Sequence, residues 1–131
     1  MEKTSIMVVD DEPYIRRSLS FVLKQEKYSV ITLEDGQLAW EKLCSGFIPD
    51  IIFLDVMMPR LSGFDLCKLI KSDYRFKNIY VIMLTARWQE ADRKNAAEIG
   101  ADEYITKPFS PSRIIRRVQE LLGKKQELFN G

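Results

Sequence analysis

The stretch Ile51-Ile52-Phe53-Leu54-Asp55 sets four apolar residues in succession and then an acid, and Val81-Ile82-Met83-Leu84-Thr85 repeats the plan with a hydroxyl at its end. A strand with one wet face alternates apolar and polar residues, whereas a strand covered by helices on both faces is apolar at successive positions. Both runs therefore read as central strands of a parallel sheet. Further β-rich runs lie at Ser5 to Val9, Tyr28 to Leu33 and Glu103 to Thr106, with the two central strands spanning Asp50 to Leu54 and Ile79 to Leu84. The segments between them are long enough for crossover helices. Pro13 stands where a first-turn proline belongs, behind Asp11 and Glu12, and Ile15, Leu19, Val22 and Leu23 share one face. Gly36 to Ser45, Ser62 to Ser72, roughly 88 to 99, and Pro111 to Leu122 complete the alternation. Ser62 and Ser110 read as helix caps, and Gly100 and Gly123 as residues that follow helix ends. The pattern predicts an α/β fold of five βα units. The fourth helix carries only a thin apolar face, Trp88, Ala91, Ala96, Ala97 and Ile99, and is expected to be the least tightly held element.

A chain of 131 residues makes one domain, and 46% hydrophobic with 30% charged residues is an ordinary globular composition. Histidine is absent, which removes Ser-His and Cys-His nucleophile pairs, zinc bound through imidazole, and a phosphohistidine on the chain itself. Twenty Lys and Arg against nineteen Asp and Glu leave a net charge of +1, so no overall basic field favours nucleic acid or a membrane surface. No apolar run approaches the length of a spanning helix and no export segment opens the chain, so a cytoplasmic location is expected. Cys44 and Cys67 lack metal or redox spacing and read as buried reduced thiols. Arg87, Arg93, Lys94, Arg113, Arg116 and Arg117 concentrate positive charge in the last third, which reads as a solvated helix face. No helix-turn-helix follows and no aromatic residues interleave with these charges.

Ligands of an open parallel α/β sheet collect at the carboxyl ends of its strands. Those ends carry Asp10-Asp11, Asp55, Thr85 and Thr106-Lys107-Pro108. Two unit charges about 5 Å apart at an effective dielectric near 20 repel by roughly 3 kcal/mol, so three converging carboxylates need positive company. Lys107 supplies one charge, and a divalent cation held by oxygen ligands, Mg2+ in preference to zinc, would neutralise the rest. With the cation present, a phosphoryl group can enter, Asp55 is a nucleophile for an acyl phosphate, Thr85 a hydrogen-bond donor and Lys107 a counter-charge. Each residue also has a plain structural role: Asp10, Asp11 and Glu12 as helix-start acids, Thr85 as a β-former, Lys107 as a surface lysine, Tyr104 as packing. Asp55 has none, because it follows four apolar residues and precedes the next helix start by several positions.

Taken together, Val8-Val9-Asp10-Asp11-Glu12, Leu54-Asp55-Val56-Met57-Met58-Pro59, Gly63, Leu84-Thr85-Ala86, Gly100-Ala101-Asp102 and Thr106-Lys107-Pro108-Phe109 resemble, in order and spacing, the receiver domain of bacterial two-component response regulators. The resemblance implies a flavodoxin-like, doubly wound (βα)5 fold with a five-stranded parallel sheet in the order 2-1-3-4-5. It places the receiver domain at residues 1–123, with 124–131 extending the last helix or starting a linker. It implies that Asp55 is the phosphoacceptor, that Asp11, Asp55 and the backbone carbonyl of Met57 ligate Mg2+ with help from Asp10, and that Thr85 and Lys107 contact the phosphoryl group. Tyr104 would follow Thr85 as a switch, and the Lys107-Pro108 peptide would be cis. The implied function is a phosphoacceptor switch rather than an enzyme, with self-catalysed phosphotransfer and slow autodephosphorylation only. Its partners would be a sensor histidine kinase or phosphotransfer protein and a fused or separate effector, with a homodimer through the fourth helix, fifth strand and fifth helix open to it. Two other classes fit less well. A haloacid dehalogenase-like phosphatase would carry an Asp where Met57 stands, and a flavin binder needs a Gly-rich or hydroxyl-rich loop where Asp10-Asp11 stand.

Overall fold

The computed structural model describes residues 3–86 and 100–130, the last seven of these by backbone alone. Five strands, β1 (Ser5–Val9), β2 (Ser29–Leu33), β3 (Ile51–Asp55), β4 (Tyr80–Thr85) and β5 (Glu103–Thr106), form one parallel sheet in the order β2-β1-β3-β4-β5. Helices α1 (Pro13–Gln25), α2 (Gly36–Cys44) and α3 (Gly63–Ser72) and a C-terminal helix (Pro111–Asn130) cover it. This is the flavodoxin-like α/β fold that the strand pattern and the resemblance predicted. The fourth helix expected near 88–99, with Arg87, Arg93 and Lys94, lies outside the described residues.

The doubled apolar period has a direct cause. Alternate side chains of one strand enter two separate cores. Met7, Val9, Ile52, Leu54, Val81 and Met83 pack toward α2 and α3, where Leu43, Leu66 and Ile70 meet them. Ile6, Val8, Phe53, Ile82, Leu84 and Ile105 pack on the opposite face against Leu19 and Leu23 of α1 and Ile114 and Val118 of the C-terminal helix. No residue of β3 is solvent-exposed.

Helix starts follow local chemistry. The Ser62 hydroxyl accepts from the Asp65 amide at 3.1 Å and the Ser110 hydroxyl from the Arg113 amide at 3.3 Å. Asp35 caps α2 in the same way, accepting from the Leu38 amide at 2.8 Å. Three expectations need correction. Gly123 does not end a helix: the last helix runs through it to Asn130, because Lys124, Lys125, Gln126 and Glu127 are strong helix formers and one glycine costs a helix only about 1 kcal/mol. Cys44 is exposed, on the outer side of α2 beside the buried Leu43; Cys67 is buried, and the two do not form a disulfide. Arg117 is not simply solvated. Its guanidinium grips both carboxylate oxygens of Glu103, with Nε at 2.6 and 2.8 Å, and reaches Glu120 at 3.1 Å. No helix among the described residues is long and apolar enough to cross a membrane.

Candidate functional site

Strand register builds the site. Val9 pairs with Leu54, so Asp10 follows β1 beside Asp55, the last residue of β3. Asp55 pairs with Leu84, which places Thr85 next along β4, and Thr85 pairs with Thr106, which places Lys107 just beyond β5. Four neighbouring strands thus deliver an acid, an acid, a hydroxyl and an ammonium along one rim. The rim lies between β1 and β3, where the winding of the sheet reverses and a crevice opens.

Ligand oxygens of Asp10, Asp11 and Asp55 lie within 4.8 Å of one another. Asp10 is fully buried, Asp55 and Thr85 are buried, and Asp11 is exposed to solvent. Lys107 Nζ sits 2.9 Å from Asp10 Oδ2, 3.5 Å from Asp55 Oδ1 and 3.4 Å from Glu12 Oε1. Asp10 Oδ1 accepts from the Glu12 amide at 2.9 Å, and the Asp10 carbonyl accepts from Arg16 Nη1 at 2.7 Å. Asp10 Oδ2 is enclosed and, despite its ion contact, has no hydrogen bond of sound geometry.

The electrostatics follow from burial and charge count. Burial chiefly, then the Asp10 charge, push the Asp55 carboxyl up to about 7, with the Asp11 carboxyl adding to the rise and Lys107 and the Met57 amide opposing it. Burial works against the Lys107 charge, but Asp10, Asp55 and Glu12 outweigh it and raise its pKa. A carboxyl poised near neutrality among other acids lacks positive charge. The donor set is all oxygen, one buried acceptor lacks a hydrogen bond, and the negative charge exceeds what Lys107 balances; Asp10, Asp11 and Asp55 therefore fit a hard divalent cation.

The loop after β3 is held tightly. The Gly63 amide donates to the Val56 carbonyl at 3.0 Å, and a Cβ at position 63 would overlap the Asp55 carbonyl oxygen, so only glycine lets α3 begin this close to the strand end. Arg60 has φ +67°, the left-handed region, and its guanidinium lies 3.8 Å from Asp35 at the start of α2. Between these anchors Met57 is exposed. The Lys107-Pro108 peptide is cis. Tyr104 is half-buried against the α2–α3 core with its hydroxyl enclosed, and burial, then Cys67, raise its pKa.

Two contacts escaped the sequence reading. In the sequence Glu12 reads as a helix-start acid within the Val8–Glu12 segment, with no link to Lys107. It is the N-cap of α1 yet makes no side-chain cap bond, and its carboxylate instead reaches Lys107. Asp102 accepts from the Val81 amide at 2.8 Å and pairs with Lys71 at 2.7 Å, pinning α3 to the approach to β5. A helix-forming lysine and a turn acid thirty-one positions apart gave no sequence signal for that pair.

Comparison with known proteins gives a consistent result. The family model of the response regulator receiver domain matches residues 6–119. The phosphate regulon transcriptional regulatory protein PhoB of Klebsiella pneumoniae is 43% identical over 119 residues, covering 91% of this chain and 52% of that protein. The transcriptional regulatory protein ResD of Bacillus subtilis (strain 168) is 41% identical over 125 residues, covering 95% of this chain and 50% of that protein. The chain therefore spans about half the length of these curated relatives. Among solved structures, the BeF3-activated receiver domain of DrrB superposes with a TM-score of 0.81 at 33% identity, covering 93% of this chain and 99% of that one. The chain belongs to the response regulator receiver domain family of two-component systems.

Proposed function

We propose that this domain is a Mg2+-dependent phosphoacceptor switch in which Asp55 takes a phosphoryl group from a phosphohistidine on a partner kinase or phosphotransfer protein. The observation that carries the reading is a buried carboxylate, Asp55, flanked by Asp10 and faced by Lys107 Nζ at 3.5 Å. An Asp55 oxygen attacks phosphorus, the bond from phosphorus to the donor imidazole nitrogen breaks, and the imidazole leaves with its electron pair. Asp10, Asp11, Asp55 and the Met57 carbonyl would hold the cation, which when bound supplies positive charge for the phosphoryl oxygens. Lys107 neutralises a second phosphoryl oxygen and the Thr85 hydroxyl donates to a third. The chain's lack of histidine fits a domain whose donor imidazole belongs to its partner.

Phosphorylation would then draw Thr85 toward the site and favour the inward Tyr104. The Tyr104 hydroxyl is enclosed beside the α2–α3 core, and the proposed change is a shift between states of the domain. The output face would comprise the fourth helix expected near 88–99, β5 and the C-terminal helix, acting on a fused or separate effector or on a second copy. Activation of DrrB by BeF3, a phosphoryl stand-in, supports the same chemistry here.

The test is incubation with acetyl phosphate and Mg2+, followed by intact-mass measurement. The wild type gains one phosphoryl group and Asp55→Asn gains none. Equal labelling of the variant would assign the acceptor elsewhere.

A further inference from the structure

We infer that Glu12 is a positioning residue that retains the Lys107 ammonium and so sets how readily Lys107 is surrendered to an incoming phosphoryl group. The inference rests on the phosphoacceptor reading of Asp55 and deepens it.

Three carboxylates share Lys107 Nζ: Asp10 at 2.9 Å, Glu12 at 3.4 Å and Asp55 at 3.5 Å. They are not equivalent. Asp10 and Asp55 are buried and belong to the cluster that fits a cation, whereas the Glu12 side chain is 59% exposed and stands outside it. Once positive charge occupies the cluster, the pull of Asp10 and Asp55 on Lys107 weakens and that of Glu12 does not. Glu12 is then the competing anion that a phosphoryl oxygen must displace. Backbone geometry makes this role specific. Glu12 is the N-cap of α1 but, unlike the shorter Ser, Thr, Asp or Asn that cap helices, makes no cap bond, and its amide is fixed on Asp10 Oδ1 at 2.9 Å. Its backbone is thereby tied to the acid cluster while its carboxylate extends across the rim to a residue 95 positions away.

An exposed ion pair is screened by salt and is worth a modest factor, so releasing Lys107 should change phosphoryl binding by about two- to five-fold at low ionic strength. Glu12→Gln keeps size and removes charge; Glu12→Asp keeps charge and withdraws it by one methylene. BeF3 affinity is measured in Mg2+ at low and high salt, alongside the rate of Asp55 phosphorylation by acetyl phosphate. Both variants are expected to bind BeF3 about two- to five-fold more tightly than wild type and to be phosphorylated faster by a similar factor, with the gain shrinking at high salt. Unchanged affinity and rate in Glu12→Gln would overturn the inference while leaving Asp55 as acceptor. A Glu12→Asp protein that matches wild type while Glu12→Gln gains would replace retention by a diffuse field effect and overturn it as well. A gain that persists undiminished at high salt would exclude an ionic origin. If wild type took up no phosphoryl group at all, the phosphoacceptor reading itself would fall, and this inference with it.

Discussion

Replacing Asp55 by Asn should make the metal-free domain more stable at neutral pH although it removes the proposed acceptor. The expectation comes from the site's charges. At an effective dielectric near 20, Lys107 at 3.5 Å attracts Asp55 by about 5 kcal/mol, and Asp10, with oxygens within 4.8 Å, repels it by at least about 3 kcal/mol. The exposed Asp11 adds a smaller, screened repulsion. The pairwise effects nearly cancel, so loss of hydration on burial decides the outcome, in accord with burial as the leading cause of the Asp55 shift. A carboxyl moved from its ordinary value of about 3.9 up to about 7 disfavours the charged folded form by at most about 4 kcal/mol. Water entry and relaxation reduce such penalties, and about 2 kcal/mol is the gain expected for Asp55→Asn at pH 8.

The pH dependence gives the sign. Between about pH 4 and pH 7 the folded wild type keeps a proton on Asp55 that the unfolded chain has released, so this group's contribution to stability falls as pH rises through that window and is constant above it. Asn cannot titrate. The stability difference between the two proteins should therefore be near zero at pH 4, grow through pH 7 and level off. Urea unfolding in EDTA, followed by far-UV circular dichroism at each pH, measures it. Added Mg2+ should stabilise the wild type at pH 8 by about 3 kcal/mol at a hundredfold excess over its dissociation constant, and stabilise Asp55→Asn far less. A difference independent of pH, or a variant less stable than wild type at pH 8 without metal, would refute the reasoning.

Three further outcomes test the scaffold. Gly63→Ala should cost about 3 kcal/mol in urea unfolding and weaken Mg2+ binding seen by titration, since its Cβ would overlap the Asp55 carbonyl oxygen and neither backbone can retreat freely. Asp102→Ala should cost about 2 kcal/mol, because it strips the Val81 amide of its acceptor and leaves Lys71, among the described residues, with the carbonyls of Lys77 and Ile79, at 3.2 and 2.7 Å. Gly123→Ala should raise stability by about 1 kcal/mol, as the residue lies inside a helix and, among the described residues, no atom outside that helix's own nearby backbone lies within 4 Å of its added Cβ; no change or a loss would restore the reading of Gly123 as a helix stop.

The sheet was legible because burial on both faces writes itself into β3 and β4 as uninterrupted apolar runs, and because Asp55 and Thr85 interrupt those runs at the rim. The acids and Lys107 could be ranked from strand ends alone, since parallel strands with matched register bring those ends together. What escaped was the outcome of competition. Glu12 makes no cap bond to α1, and its reach to Lys107 depends on a residue 95 positions away. Cys44 and Leu43 are adjacent and both apolar, so only the docked orientation of α2 decides which is buried. Gly123 had to be weighed against the helix formers after it, a balance of about 1 kcal/mol that composition alone does not resolve.

Stability and the proposed phosphoacceptor chemistry meet at Asp55 for one physical reason. The two cores hold β1, β3 and β4 in register whether or not the acids are comfortable, so the charge imbalance cannot relax by strand movement and must be met by a cation, a proton or Lys107. Each of these acts on the same few oxygens. A group that alters the charge at Asp55 therefore redistributes Lys107 among Asp10, Glu12 and Asp55, and with it the cis Lys107-Pro108 segment that leads from β5 into the C-terminal helix. The Lys107 amide donates to the Thr85 carbonyl at 2.7 Å, which ties the ends of β4 and β5 together through the backbone. Under the proposed switch, β5 is where such a change would meet the C-terminal helix, since Glu103 is fastened to Arg117 of that helix.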